Sequence, residues 1–137
     1  EKKLEIANII ARRGIDPRTN TPHPLQRILS VIEQNGVNID PFQDAELQVE
    51  RVLKSIKPLI PIKFQKVTVE LKVPPQYVGS VYPVLKPLNV VNQEWLSDGS
   101  LKAVIEMPAG IHDEIFSKIA SATKGNFESK IIKREDV

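Results

Sequence analysis

The sequence predicts an α+β fold in two parts, a three-helix bundle over residues 1–63 and a domain of strands and helices over residues 64–137. Three observations predict it. Before Pro61 apolar residues recur at helical spacing, and after it they alternate with polar ones. The segments of the second part then run strand, helix, strand, strand, helix, strand.

From Leu4 to Arg13 the residues Leu4, Ile6, Ala7, Ile9, Ile10 and Ala11 make a broad helical face, and Gly14 is placed to end it. Residues 16–24 hold three prolines in nine positions and must form a loop. Pro24 suits the first position of a second helix, with Leu25, Ile28, Leu29 and Ile32 as its stripe and Gly36 as its stop. Asp40-Pro41 reads as the cap and first residue of a third helix reaching about Lys57. Its inner face is Ala45, Val49, Val52, Leu53 and Ile56, and Pro58 and Pro61 end it.

The second part opens on Lys66–Val73, which alternates strictly as a half-buried strand does. Pro74-Pro75 ends that strand and starts a helix carrying Val78, Val81, Tyr82 and Leu85, which Pro83 should bend or shorten. Residues 89–96 and 101–107 are strand-like, and Asp98-Gly99 between them predicts a two-residue hairpin of type I′. From Pro108 a helix follows with Ile111, Ile115, Ile119 and Ala122 inward and Gly125 as stop, and the last strand covers about 126–133. This order is the ferredoxin-like split βαβ arrangement. The boundary falls near 62–65.

Composition excludes several classes. The 137 residues hold 41% apolar side chains and a net charge of only +2, which is not the signature of a disordered chain. No apolar run approaches the ~20 residues that span a bilayer. There is no cysteine, hence no disulfide, thiolate ligand or thiol nucleophile. Charges at the start and the lack of a long apolar stretch after them argue against a secretory signal. A cytoplasmic, monomeric protein away from any membrane is the expectation. The chain opens in a helical pattern without an initiator Met, and is expected to be part of a longer protein.

Catalytic candidates are few. His23 sits in the proline-rich loop and His112 opens a helix, far from each other in sequence and outside any metal-ligand spacing; both are expected at the surface. Asp113-Glu114 favours a helix N-terminus electrostatically. No serine has a nucleophile-elbow context, and neither a P-loop nor a dinucleotide fingerprint is present. An acylphosphatase-like phosphate cradle would occupy Val73–Tyr77, where Pro74 and Pro75 remove the backbone donors. An RNA-recognition motif needs aromatics on its central strands, and Leu101–Met107 has none. Trp95 is expected to pack structurally. No enzyme, metal or cofactor is expected.

Charge is uneven within the near-zero total. Residues 51–66 hold five cations and no acid, and residues 1–27 hold six cations against three acids. On a helix, Arg51, Lys54 and Lys57 lie opposite Val52, Leu53 and Ile56, with Lys63 and Lys66 following. These five form a candidate ridge for nucleic-acid phosphates, as do Arg12, Arg13, Arg18 and Arg27 around the proline-rich loop. The alternative is an ordinary solvated surface complementing a helix dipole.

The run Ile6-Ala7-Asn8-Ile9-Ile10-Ala11 followed by Ile15-Asp16-Pro17-Arg18-Thr19-Asn20-Thr21-Pro22 resembles the central domain of the Shwachman–Bodian–Diamond family of ribosome maturation proteins. The resemblance continues through Val67-Thr68-Val69-Glu70-Leu71, Leu85-Lys86-Pro87-Leu88 and Thr123-Lys124-Gly125-Asn126, and covers essentially the whole chain. The form Thr21-Pro22-His23-Pro24 is similar to archaeal members; Asn20-Thr21 stands where eukaryotic members often carry a basic pair. The resemblance implies the second and third domains of a three-domain binding factor. Such factors dock on the large ribosomal subunit and help an elongation-factor-like GTPase release an anti-association factor. It also implies ribosomal RNA contacts for the cations above and for Lys124. The competing expectation is a protein-interaction module that docks on the GTPase and touches RNA incidentally.

Overall fold

A computed structural model describes residues Glu1–Val137. It has five α-helices and a mostly antiparallel arrangement of strands: α1 Lys2–Arg13, β1 Gly14–Ile15, α2 Leu25–Gln34, α3 Ala45–Ile56, β2 Lys63–Val73, α4 Val78–Leu85, β3 Asn89–Trp95, β4 Leu101–Pro108, α5 His112–Thr123 and β5 Glu128–Asp136. Single 3-10 turns precede α4 (Pro75–Tyr77) and α5 (Ala109–Ile111).

The three N-terminal helices bury one stripe each around eleven side chains, among them Ile6, Ile10, Ile28, Ile32, Val52 and Ile56. Pro24 stands just before α2 rather than inside it. The third helix begins four residues later than Asp40-Pro41 implies. Asp44 is its cap, accepting from the Glu46 N–H at 3.3 Å. The reason is Gln48, fully buried on α3. Its amide accepts from the Asp40 N–H (2.9 Å) and donates to the Asp40 and Gln43 carbonyls (2.8 and 3.1 Å). One side chain thus satisfies backbone groups that helix formation would otherwise have paired.

In the second half β2 is central, flanked by β4 and β5, with β3 on the far side of β4. All these pairs are antiparallel, with Val69 opposite Ile105 on one side and Ile131 on the other. Val67, Val69, Leu71 and Val73 join Val81, Leu85, Ile115 and Ile119 in a sixteen-residue core, which places α4 and α5 on one face. β4 alternates buried and less buried positions throughout, and β2 does so except at Thr68, which is buried between Val67 and Val69.

Several boundaries differ from expectation for physical reasons. The hairpin is not type I′, because Gly99 has φ +88° while Asp98 does not enter the positive region. Gly99 N–H reaches the Leu96 carbonyl, Leu96 N–H reaches Ser100, and the Asp98 carboxylate accepts from Ser100 N–H at 2.9 Å. That is a three-residue loop with glycine in the left-handed place. α5 ends at Thr123, two residues before Gly125, with Lys124 itself left-handed at φ +53°. β5 starts at Glu128 and runs to Asp136, because Arg134, Glu135 and Asp136 pair with β2.

The two halves touch at several points. After α1 the chain stays extended at Gly14 (φ −103°), and β1 pairs Gly14 with Phe64 and Ile15 with Lys63. Ile15 is buried in the second core although it belongs to the first half, while Ile62 is buried in the first. Arg12 and Glu114 make an ion pair of 3.4 Å between α1 and α5.

Candidate nucleic-acid interface

The ten candidate cations fall into two groups. Five sit in ion pairs. Arg12 meets Glu114, Arg13 meets Glu46 at 2.7 Å, and Lys63 meets Asp136 at 3.1 Å. Lys66 lies 2.9 Å from Glu106 and 3.7 Å from Glu135. Those carboxylates raise the ammonium pKa of Lys66, with the Glu106 hydrogen bond the largest cause, and Glu106 is lowered in turn. Arg18 is the most tightly held. It donates from Nε (3.1 Å) and Nη2 (2.9 Å) to the two oxygens of Asp16, and its own N–H adds a third bond of 2.9 Å. Asp16 is buried, and the Arg18 side chain, followed by that backbone donor, lowers its pKa to about 2.

The other five have no carboxylate partner. Arg51 turns back over the 38–48 loop, donating to the Asn38 carbonyl (2.6 Å) and Gln48 Oε1 (2.9 Å). Arg27 lies 3.5 Å from His23 Nδ1. Lys54 and Lys57 stand exposed at the end of α3, and Lys124 stands exposed at the end of α5. The structure therefore brings Lys54 and Lys57 together as the unpaired part of the ridge, where they also complement the α3 dipole.

Three aromatic or imidazole side chains differ from their sequence reading. His23 is buried, not at the surface: Nε2 donates to the Pro61 carbonyl at 2.6 Å and pins the proline-rich loop to the segment before β2. His112 is half-buried, its ring 4.1 Å from that of Phe116, with Nδ1 3.1 Å from Asp113. Trp95 is 54% exposed on β3 rather than packed. No three His, Asp or Glu side chains gather where they could hold a metal ion. No helix is long and apolar enough to cross a membrane. A cleft of about 680 Å³ between the halves is lined by Phe64, Met107 and Pro108 and rimmed by the Arg13–Glu46 and Lys66–Glu106 pairs.

Residues 4–65 match the family model for SBDS protein, domain II, and residues 67–134 match that for SBDS protein, C-terminal domain. The chain is 43% identical over 134 residues to a ribosome maturation protein SDO1 homolog of Methanothermobacter thermautotrophicus, covering 97% of this chain and 58% of that protein. It is 37% identical over 133 residues to the SDO1 homolog of Aeropyrum pernix, covering 96% and 57%. It thus spans a little over half the length of these relatives. Both family matches are successive domains of one kind of protein, in the order found there. The chain belongs to the SBDS family.

Proposed function

We propose that this chain is the central and C-terminal part of a non-catalytic ribosome maturation factor of the cytoplasm. It binds the large ribosomal subunit and assists an elongation-factor-like GTPase in releasing an anti-association factor. The observation that carries this is the pair of family matches, consecutive and covering 4–65 and 67–134, with relatives that bear the name of ribosome maturation proteins. In this reading residues 1–63 are a three-helix bundle and residues 64–137 a ferredoxin-like domain. The sheet order β5-β2-β4-β3 with both connecting helices on one face supports the latter.

A second reading is a module that docks on the GTPase with incidental RNA contact, and the pairing of Arg12, Arg13, Arg18, Lys63 and Lys66 with carboxylates favours it. The two readings differ in salt dependence. Each phosphate contact releases counterions, so reversing Lys54 and Lys57 to Glu in the protein with its remaining domains should weaken large-subunit binding. The slope of log K against log salt should flatten by about one to two units. An unchanged slope with an intact circular dichroism spectrum would instead assign the ridge to ordinary surface, and salt-insensitive binding to the GTPase alone would favour the second reading.

A further inference from the structure

Resting on the ribosomal reading above, we infer that the outer face of the α4–α5 layer is the surface through which the second half meets an RNA phosphate backbone. The near-zero charge of residues 66–137 conceals a segregation. On the open face of the sheet each sign has its opposite alongside. Lys66 pairs with Glu106 and Glu135, and Lys133 lies 3.5 Å from Glu135. Glu70 faces Lys130, Lys72 faces Glu128, and Glu94 faces Lys102 across the strands. That face neutralises itself.

The helical layer does not. Residues 74–93 and 115–127, which form α4, most of α5 and their flanks, contain no Asp or Glu. Their only charges are Lys86, Lys118 and Lys124, all exposed and none in an ion pair. The two acids of α5 stand in its first turn and are engaged, Asp113 by His112 and Glu114 by Arg12. Between the helices runs a shallow groove of about 490 Å³ where Lys118 stands beside Ser117 and Ser121. Exposed Ser80 adds a hydroxyl on α4, while Gly79 and Lys86 line a separate hollow between α4 and β3 with Tyr82 and Leu88. Such a surface allows close approach and offers hydroxyl donors beside the ammonium groups, as phosphate contacts require. It lacks the large apolar anchors that make a protein interface. The exposed apolar side chains Val91, Trp95, Ile131 and Ile132 are on β3 and β5, and Tyr82 is held toward β3 by Gln93 at 3.1 Å.

The test compares a helical-layer variant and a sheet-face variant of this chain on large-subunit ribosomal RNA between about 50 and 200 mM salt. Lys86→Gln with Lys118→Gln and Lys124→Gln should flatten the log–log salt slope by about two to three units and weaken binding roughly tenfold or more. Lys72→Gln with Glu128→Gln, which removes both members of one cross-strand pair and leaves the charge of the sheet face unchanged, should bind within about twofold of the parent. If the helical-layer variant binds like the parent while Lys54→Gln with Lys57→Gln weakens binding, the inference is overturned and the ribosomal reading stands. If the parent itself fails to bind the RNA at low salt, both fall. Binding of poly-glutamate as tight as that of RNA would overturn the choice of partner. The substituted side chains on the helical layer and on α3 are exposed, and a thermal melt matching the parent shows that the fold is retained.

Discussion

Gly110 lies against the last turn of α1 so closely that a Cβ on it would collide with the carbonyl oxygens of Ala11 and Arg12. The contact joins the 3-10 turn ahead of α5 to the helical half, beside β1 and the Arg12–Glu114 pair. Backbone atoms on both sides leave nothing flexible to yield. Gly110→Ala should therefore destabilise the chain by about 1–3 kcal/mol, as overpacking does. Urea unfolding reads this as a lowered midpoint. A midpoint equal to the parent's would mean that the halves do not keep this approach in solution.

Asp16 offers a pH signature. Its folded pKa of about 2 lies below the ordinary 3.8, so its ionised form is favoured by folding. The stabilisation is complete above the ordinary value and is lost as pH falls through the folded one. Asp16→Asn should lower the urea midpoint at neutral pH, and the gap to the parent should narrow as pH falls from about 4 to about 2. A gap constant over that window would remove the ion pair from the account. Arg18→Ala should reproduce the stability loss while leaving the RNA salt slope unchanged, because the Arg18 charge is already answered by Asp16.

His23 ties the proline-rich loop to Pro61. His23→Ala removes the donor and leaves the Pro61 carbonyl without it, at a cost of about 1–3 kcal/mol. His23→Gln, which can still donate, should recover part of this. Chemical denaturation of the two variants checks it, and equal losses in both would assign the effect to packing alone.

Much of this architecture is legible because one-sided burial writes a period into the chain. Val67, Val69, Leu71 and Val73 alternate because α4 and α5 cover one face of the sheet, and Ile28 and Ile32 recur because α2 buries one stripe. What escapes the sequence is pairing at a distance. Even Arg18, read from the sequence as a free cation, is held by Asp16 only two residues away. Lys66 and Glu106 are joined only by the register of β2 with β4, and Arg12 and Glu114 only by contact between the halves. The start of α3 is missed because Asp40-Pro41 has the chemistry of a cap, whereas a buried glutamine one turn into the helix carries no mark in the pattern. Gly110 likewise is one glycine among six until α1 is laid over it. The acid-free stretches 74–93 and 115–127 are visible in the sequence, but only the fold puts them on one face.

Lys124 sets stability against binding. It ends α5 at φ +53°, a conformation in which an L side chain crowds the backbone by about 1 kcal/mol and which glycine takes freely. Its N–H still reaches the Ala120 carbonyl, so the helix end is satisfied whichever residue stands there. Lys124→Gly should thus leave the fold unchanged or raise its stability by up to about 1 kcal/mol, the relief of strain being partly offset by the greater freedom of the unfolded chain. The same variant removes one of only three cations on the α4–α5 face, and should flatten the RNA salt slope by about one unit. Measured together, a steady or raised melting temperature with a flatter slope would show a cation kept at a strained position for contact with RNA. A variant that melts lower would contradict the backbone argument, and a slope equal to the parent's would remove Lys124 from the interface.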